Sequence, residues 1–425
     1  MNTPLSGLPA SLGPVTAGVP DTIRSRRPKR AEGAAKPEVV ASASKSETFH
    51  FDLRPQAIAR HLDRFVIGQR EAKKVLSVAL CDHFQHVRLS LEGNTAAHYQ
   101  KQNVLLLGPT GVGKTHLIRS AAELIGVPFV KADATKYSET GYVGGDVDDL
   151  VRDLYRRSGN DAKKAANGII YLDEVDKLAT RLPGAGRDVS GRGVQTNLLK
   201  LMEDGDVPLV SPNDVTGQLQ SAMAAMRGGV PAAETLNTRH ILFIVSGAFS
   251  GIADVIRGRL VRASVSAKKG HRKGVSAETE TVHGPRKLDD IDWLLAQMTT
   301  PDLIEFGLEP EFIGRLPVRV ACHGLDEEDL FDVLRKSESS LIHQYERAFA
   351  AYGIEVEFRD DGLRRLAHKA GTEATGARGL MTVCERVFRD FKFRLPTSRV
   401  KRFAVTARLV DDPGAELKRL LSGKA

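Results

Sequence analysis

The sequence predicts an α/β fold: a parallel sheet between helices, followed by a smaller, mainly helical C-terminal domain. Three observations carry that prediction. The apolar runs Asn103-Val-Leu-Leu-Leu107, Gly168-Ile-Ile-Tyr-Leu172 and His240-Ile-Leu-Phe-Ile-Val245 are short and continuous rather than alternating, as expected of strands buried on both faces. Stretches with helical periodicity, such as residues 116–124 and 147–157, lie between them, and this alternation argues for a parallel sheet with helical crossovers. Beyond Asp326 only helical periodicity is evident, over residues 327–347, 360–370 and 379–393.

At 425 residues, with 41% hydrophobic and 27% charged residues, the chain is read as soluble, with two or three domains at roughly 100–200 residues each. Residues 1–48 are rich in Pro, Gly, Ala and Ser and carry the basic run Arg24, Arg26, Arg27, Lys29, Arg30. Without apolar periodicity they are expected to be a disordered basic tail. From Phe49 the pattern changes: a short helix is expected over 55–63 and a longer amphipathic one over 71–88. The expected division is therefore a tail at 1–48, a large α/β domain at 49–325 and a small domain at 326–425.

No apolar run is long enough to span a membrane, and the N-terminus lacks a signal-peptide core. Cys81, Cys322 and Cys384 lie far apart with no Cys-x-x-Cys pair, which argues against a cysteine zinc site and suits a reducing cytoplasm. The net charge of +8 permits acidic partners without requiring them.

The run ending at Leu107 is followed by Gly108-Pro109-Thr110-Gly111-Val112-Gly113-Lys114-Thr115, which fits G-x-x-x-x-G-K-[ST]. Such a match arises by chance in on the order of one chain in fifty of this length, and its place between an apolar strand and a helix lowers that further. The glycines let the backbone wrap phosphates with its N–H groups inward. Lys114 is expected to reach the β- and γ-phosphates of ATP and Thr115 to ligate Mg²⁺.

About sixty residues later, Ile169-Ile-Tyr-Leu-Asp173-Glu174 delivers two adjacent carboxylates at a strand's end, the edge where open α/β sheets bind ligands. Asp173 is expected to hold Mg²⁺, usually through water, and Glu174 to act as general base on the attacking water. The third run ends in Ser246, either a hydroxyl that positions this water or a small buried residue. Arg315 stands between Gly314 and Leu316-Pro317, and Arg378 stands at a helix start. Composition alone does not distinguish them, since most arginines are surface residues.

These residues identify a resemblance. From about Leu53 to about Val410 the chain resembles the AAA+ unfoldases of the ClpX type, ATPase partners of the ClpP peptidase, with the HslU type more distant. The resemblance rests on Phe65-Val-Ile-Gly-Gln69, the loop at 108–115, Ala132-Asp-Ala-Thr135, Gly141-Tyr-Val-Gly144, Asp173-Glu174, Asp188-Val-Ser-Gly191, Gly247-Ala-Phe249, the segment 311–317 and Gly376-Ala-Arg-Gly-Leu380, in the family's order. It implies an AAA+ P-loop module that hydrolyses ATP with Mg²⁺ in a homo-hexameric ring and threads unfolded or tagged proteins through a central pore. It further implies that Val66 and Ile67 line the adenine pocket and that Ser246 is the first sensor. Arg315 becomes the arginine finger reaching into the neighbouring subunit, Arg378 the second sensor, and Tyr142, with Val143 beside it, the pore loop. A tyrosine between glycines can grip a polypeptide through its ring without reading sequence.

Several family features are missing. The tail has no cysteine, so the four-cysteine zinc domain is not expected, and residues 257–287 contain no aliphatic-Gly-Phe tripeptide for peptidase docking. That stretch is instead read as a basic loop, with Arg257, Arg259, Arg262, Lys268, Lys269, Arg272, Lys273, Arg286 and Lys287 against Glu278 and Glu280. Residues 211–238 lack the family's Arg-Lys-His entrance loop, and Arg192 stands where an acidic residue is usual. The first expectation is an unfoldase with weak or no ClpP partnership. The alternatives are a conventional regulatory subunit of a Clp-type protease with a divergent docking loop, and a nucleic-acid-acting motor using the basic segments.

Overall fold

In the computed structural model the described residues are 49–94, 99–138, 145–179, 189–210, 235–270 and 288–423. They contain nine strands: β1 Val104–Leu107, β2 Phe129–Asp133, β3 Ile169–Asp173, β4 Asp206–Pro208, β5 Thr235–Asn237, β6 Leu242–Gly247, β7 Val318–Ala321, β8 Glu355–Phe358 and β9 Arg402–Val405. Five of these form a parallel sheet in the order β2-β3-β6-β1-β7. β4 and β5 pair antiparallel, and β8 and β9 pair parallel in the C-terminal part.

The unbroken apolar runs have a direct cause in this sheet. Alternate residues of one strand enter different cores. Val104, Leu106, Ile169, Tyr171, Leu242 and Ile244 join the core built with helices Pro55–Phe65, Arg70–Leu91 and Lys114–Ile125. Leu105, Leu107, Ile170, Leu172, Phe243 and Val245 join the opposite core, against helices Asp149–Arg157, Val189–Met202 and Thr300–Phe306. Each side chain is at most 1% exposed, so truncating one of the leucines or isoleucines to alanine costs about 2–5 kcal/mol.

A third core lies in the C-terminal part, where helices Glu327–Arg335, Leu341–Ala350, Asp360–Thr372 and Ala377–Arg394 pack with the β8–β9 pair. Phe349, Phe388, Phe391 and Phe403 form its centre, with edge-on and tilted ring contacts.

The structure refines one expectation and corrects another. The helical stretch at 327–347 is two helices, Glu327–Arg335 and Leu341–Ala350. Between them the chain turns onto the first helix of the large part: Ser337 Oγ donates to Phe65 O at 2.8 Å and Glu338 N to Arg64 O at 3.0 Å. Ser340 then caps the second helix, its Oγ accepting from Ile342 N at 3.2 Å. Side-chain hydroxyls compete with the helix ladder, and here they win because they join the two parts of the chain.

The basic stretch is not a loop through residue 270, because Ile252–Gly270 is helical. Three of its basic side chains are engaged internally: Arg257 with Asp254 and Leu288 O, Arg259 with Asp302 at 2.7 Å, and Arg262 with Glu305 at 3.2 Å. Residues 271–287 lie outside the described residues, as do the tail at 1–48 and most of the entrance segment at 211–234.

Candidate active site

The expected phosphate loop leaves the C-terminal end of β1, between β6 and β7. Gly108, Gly111 and Gly113 have φ of +140°, +78° and +95°, conformations that disfavour a Cβ. Close packing adds a second requirement at two of them. A Cβ on Gly108 would stand 2.4 Å from Cys322 O, and one on Gly111 would stand 2.2 Å from Thr375 O. The loop is also tied to the C-terminal part through its backbone, with Ala377 N donating to Gly111 O at 3.0 Å.

Thr110, Gly111, Gly113, Lys114 and Thr115 line a cleft of about 1050 Å³. This is at the upper end of the roughly 300–1,000 Å³ of small-molecule pockets. Pro109 contributes its carbonyl to the loop, whereas the Val112 side chain is buried in the core beneath. Lys114 is nearly buried, and its Nζ donates to Gly108 O at 2.5 Å and Pro109 O at 2.8 Å. Burial lowers its pKa below the ordinary lysine value. Val66 is buried directly behind the loop, 3.3 Å from where a Gly113 Cβ would stand, and Ile67 beside it is half-buried.

Asp173 ends β3 at the centre of a hydrogen-bond chain. Ser246 Oγ donates to Asp173 Oδ1 at 2.6 Å and, its proton thus used, accepts from Tyr171 OH at 2.7 Å. The Glu174 N–H adds a bond at 3.1 Å. The other carboxylate oxygen accepts from Thr115 Oγ1 at 3.3 Å, and the Lys131 ammonium is also 3.3 Å from it. Burial by itself raises the Asp173 pKa, but Ser246, Lys131 and the Glu174 N–H outweigh it and hold the carboxyl below its ordinary value. Tyr171 is pushed up by burial, so it stays a protonated donor.

Ser246 is fully buried and serves as the brace of Asp173. Of the two readings left open for it, this arrangement combines parts of both: a buried residue whose hydroxyl orients the site through a carboxylate. Glu174 has φ +60°, an uncommon conformation for a non-glycine residue, and it also lines the cleft. Its carboxylate holds Lys177 Nζ at 2.5 Å.

The hard oxygens of Thr115 and Asp173 suit Mg²⁺, and a glycine cradle with a buried lysine suits a triphosphate. Arg378, the second residue of helix Ala377–Arg394, lines the same cleft from the C-terminal part. Arg315 does not. It lines a separate cavity of about 610 Å³ and pairs with Glu203 at 2.5 Å.

Tyr142 and Val143 lie outside the described residues. The chain on either side of them is closed, with Gly145 N donating to Lys136 O at 3.0 Å and Ser138 N to Gly145 O at 3.3 Å.

Sequence reasoning missed four participants. Tyr171 was detectable as the lone polar residue of an apolar run, and Lys131 as a lysine just ahead of Ala132-Asp-Ala-Thr135. Asp176, which accepts from Phe249 N at 3.1 Å, is a third carboxylate lining the cleft. Gln69 belongs to a family motif that carries no role for it. Its amide donates to His323 O at 2.8 Å and accepts from His323 N at 2.9 Å, clasping the segment after β7.

Comparison with known proteins agrees with this geometry. A family profile described as "AAA domain (Cdc48 subfamily)" matches residues 99–319. Two curated proteins, each named "ATP-dependent Clp protease ATP-binding subunit ClpX", are 38% identical over 359 residues, covering 83% of this chain and 77% of theirs. They come from Borrelia duttonii (strain Ly) and Borrelia recurrentis (strain A1).

Proposed function

The chain belongs to the ClpX-type AAA+ ATPases, and from that membership we propose an ATP-driven protein unfoldase that works as a homo-hexameric ring. The observation that supports it best is the convergence of Lys114, Thr115, Asp173, Glu174 and Arg378 on one cleft between the sheet edge and the C-terminal part. We take that cleft to lie between a large domain at 49–325 and a small domain at 326–425.

In this reading the loop at 108–115 wraps the phosphates of ATP while Val66 and Ile67 face its base. Thr115 and Asp173 hold Mg²⁺, which supplies Lewis-acid charge to the phosphate oxygens when bound. Lys114 turns from the Gly108 and Pro109 carbonyls to the phosphates. Glu174 takes the proton of the attacking water, with Ser246 and Tyr171 fixing the carboxylate beside it. Lys177 pairs with the Glu174 carboxylate and holds it in place. Arg378 brings charge from the small domain. Arg315, outside its own subunit's cleft, serves the neighbour's, and so couples hydrolysis to the ring. Tyr142 and Val143 grip the polypeptide in the pore.

The cited relatives carry the name of a Clp protease subunit, which favours peptidase partnership as a second reading. The first reading keeps that partnership weak, because residues 257–287 contain no aliphatic-Gly-Phe docking tripeptide. Cytoplasmic placement rests on the three cysteines, all free and buried; no helix among the described residues is long and apolar enough to cross a membrane.

Glu174→Gln tests the central claim. It should bind ATP and stay assembled, hydrolyse it at least about a hundredfold more slowly, and retain substrate for mass spectrometry; hydrolysis at the wild-type rate would remove Glu174 as the base. Tyr142→Ala should keep hydrolysis and lose unfolding of a tagged reporter. Degradation of that reporter with added ClpP separates the two readings of peptidase partnership.

A further inference from the structure

Lys131 sits on β2 and belongs to none of the nucleotide-site roles assigned so far. Its Nζ donates to Thr115 Oγ1 at 3.2 Å and stands 3.3 Å from Asp173 Oδ2. Thr115 and Asp173 are the two side chains assigned to Mg²⁺. The ammonium also lies 5.9 Å from the centre of the Tyr171 ring, and its side chain is about a third exposed, 36%. It is therefore the cation paired with Asp173, partly exposed, on a flexible four-carbon stem.

The charges of the cleft show why this matters. Asp173, Glu174 and Asp176 line it as carboxylates. Lys177 is taken up by Glu174, Lys114 faces neutral carbonyls, and Arg378 lines the cleft from the C-terminal part without a bond to Asp173 among the described residues. Without Lys131, Asp173 would face an incoming polyanion with only hydroxyl and N–H partners.

We propose that Lys131 is a further nucleotide-site residue, a resident cation that offsets Asp173 and favours the triphosphate independently of the metal. This rests on the nucleotide-site reading of residues 108–115. A divalent ion at Thr115 and Asp173 neutralises the same carboxylate, so Lys131 and the metal substitute for one another electrostatically. The dependence on Lys131 is then largest when no metal is present. A lysine that merely props Asp173 in place predicts something different, because losing it would weaken binding equally with and without metal.

The test is equilibrium binding of a fluorescent ATP analogue to the full chain, once in EDTA and once in Mg²⁺. Lys131→Met should weaken binding in EDTA by about tenfold, the scale of one partly exposed charge at ion-pair range, and in Mg²⁺ by less than about threefold. Lys131→Arg should restore the EDTA value. Lys131→Gln repeats the measurement should the methionine variant not fold. Equal weakening in both arms, or an unchanged EDTA value, overturns the proposal. Lys114→Ala run alongside should lose binding in both arms; if it does not, the nucleotide-site reading fails rather than the role of Lys131.

Discussion

Replacing Ser246 with alanine removes the centre of the Tyr171–Ser246–Asp173 chain and little else. The position is fully buried, so no water replaces the hydroxyl. Asp173 loses its shortest hydrogen bond, 2.6 Å, and keeps the Glu174 N–H at 3.1 Å and Lys131 at 3.3 Å. Tyr171 OH loses its 2.7 Å acceptor and retains only the 3.3 Å contact to Thr115. A hydrogen bond to an ionised group contributes about 1.5–3 kcal/mol, so about 2 kcal/mol is expected here. That corresponds to a thermal midpoint lower by roughly 4–8 °C.

A pH signature should accompany the loss. The folded carboxyl lies below its ordinary 3.8, so its stabilisation is present above that value and lost as pH falls through the folded pKa. Without Ser246 the folded pKa moves up and the acid limb of the stability profile moves with it. Thermal melts between pH 3 and 7 measure both effects, and hydrolysis against Mg²⁺ concentration should show a raised metal requirement. A Ser246→Ala protein that melts within 1 °C of wild type across that range would refute the claim that this chain holds Asp173.

Gly111→Ala should weaken nucleotide binding at least about tenfold, because the new Cβ meets Thr375 O at 2.2 Å on a backbone at φ +78°; fluorescence titration reads this directly. His83 is neutral and fully buried, with Nε2 bonded to His240 O at 3.0 Å, and burial pushes its pKa down to about 3. The unfolded chain therefore binds more protons below pH ~6.5, and stability should fall by about 1.4 kcal/mol per pH unit as pH drops through that window. Urea midpoints at pH 7.5 and 5.5 check this, and His83→Gln should flatten the difference. Arg315→Ala should retain ATP binding and lose hydrolysis, and mixing it with Lys114→Ala subunits should recover part of the activity; no recovery would count against a finger acting across subunits.

What was legible in the sequence depends on how local each signal is. The phosphate loop, β1, β3 and β6 were readable because central strands buried on both faces leave continuous apolar runs. The outer strands β2 and β7 were not read as strands, since Phe129–Asp133 and Val318–Ala321 mix apolar residues with Lys131, Asp133 and Arg319. The break within residues 327–347 was invisible because its cause is tertiary: Ser337 and Glu338 answer to Phe65 and Arg64, 272 and 274 positions earlier. The basic reading of 257–287 counted Arg259 and Arg262 as surface charge, while their partners Asp302 and Glu305 lie 43 residues downstream. Ser246 could be placed at a strand end but not bonded to anything until β3 and β6 lay side by side.

The bond from Ala377 N to Gly111 O has a consequence for how the protein is made. Translation delivers the phosphate loop early and its partner at 375–377 more than 260 residues later. A chain still on the ribosome has the glycines and lysine of the loop but not the backbone donor or the close wall that shape Gly111. The loop is completed only when the C-terminal helices emerge, so tight nucleotide binding should mark a nearly finished chain. A fragment ending before Thr375, released with its sheet intact, is expected to fold without closing the site.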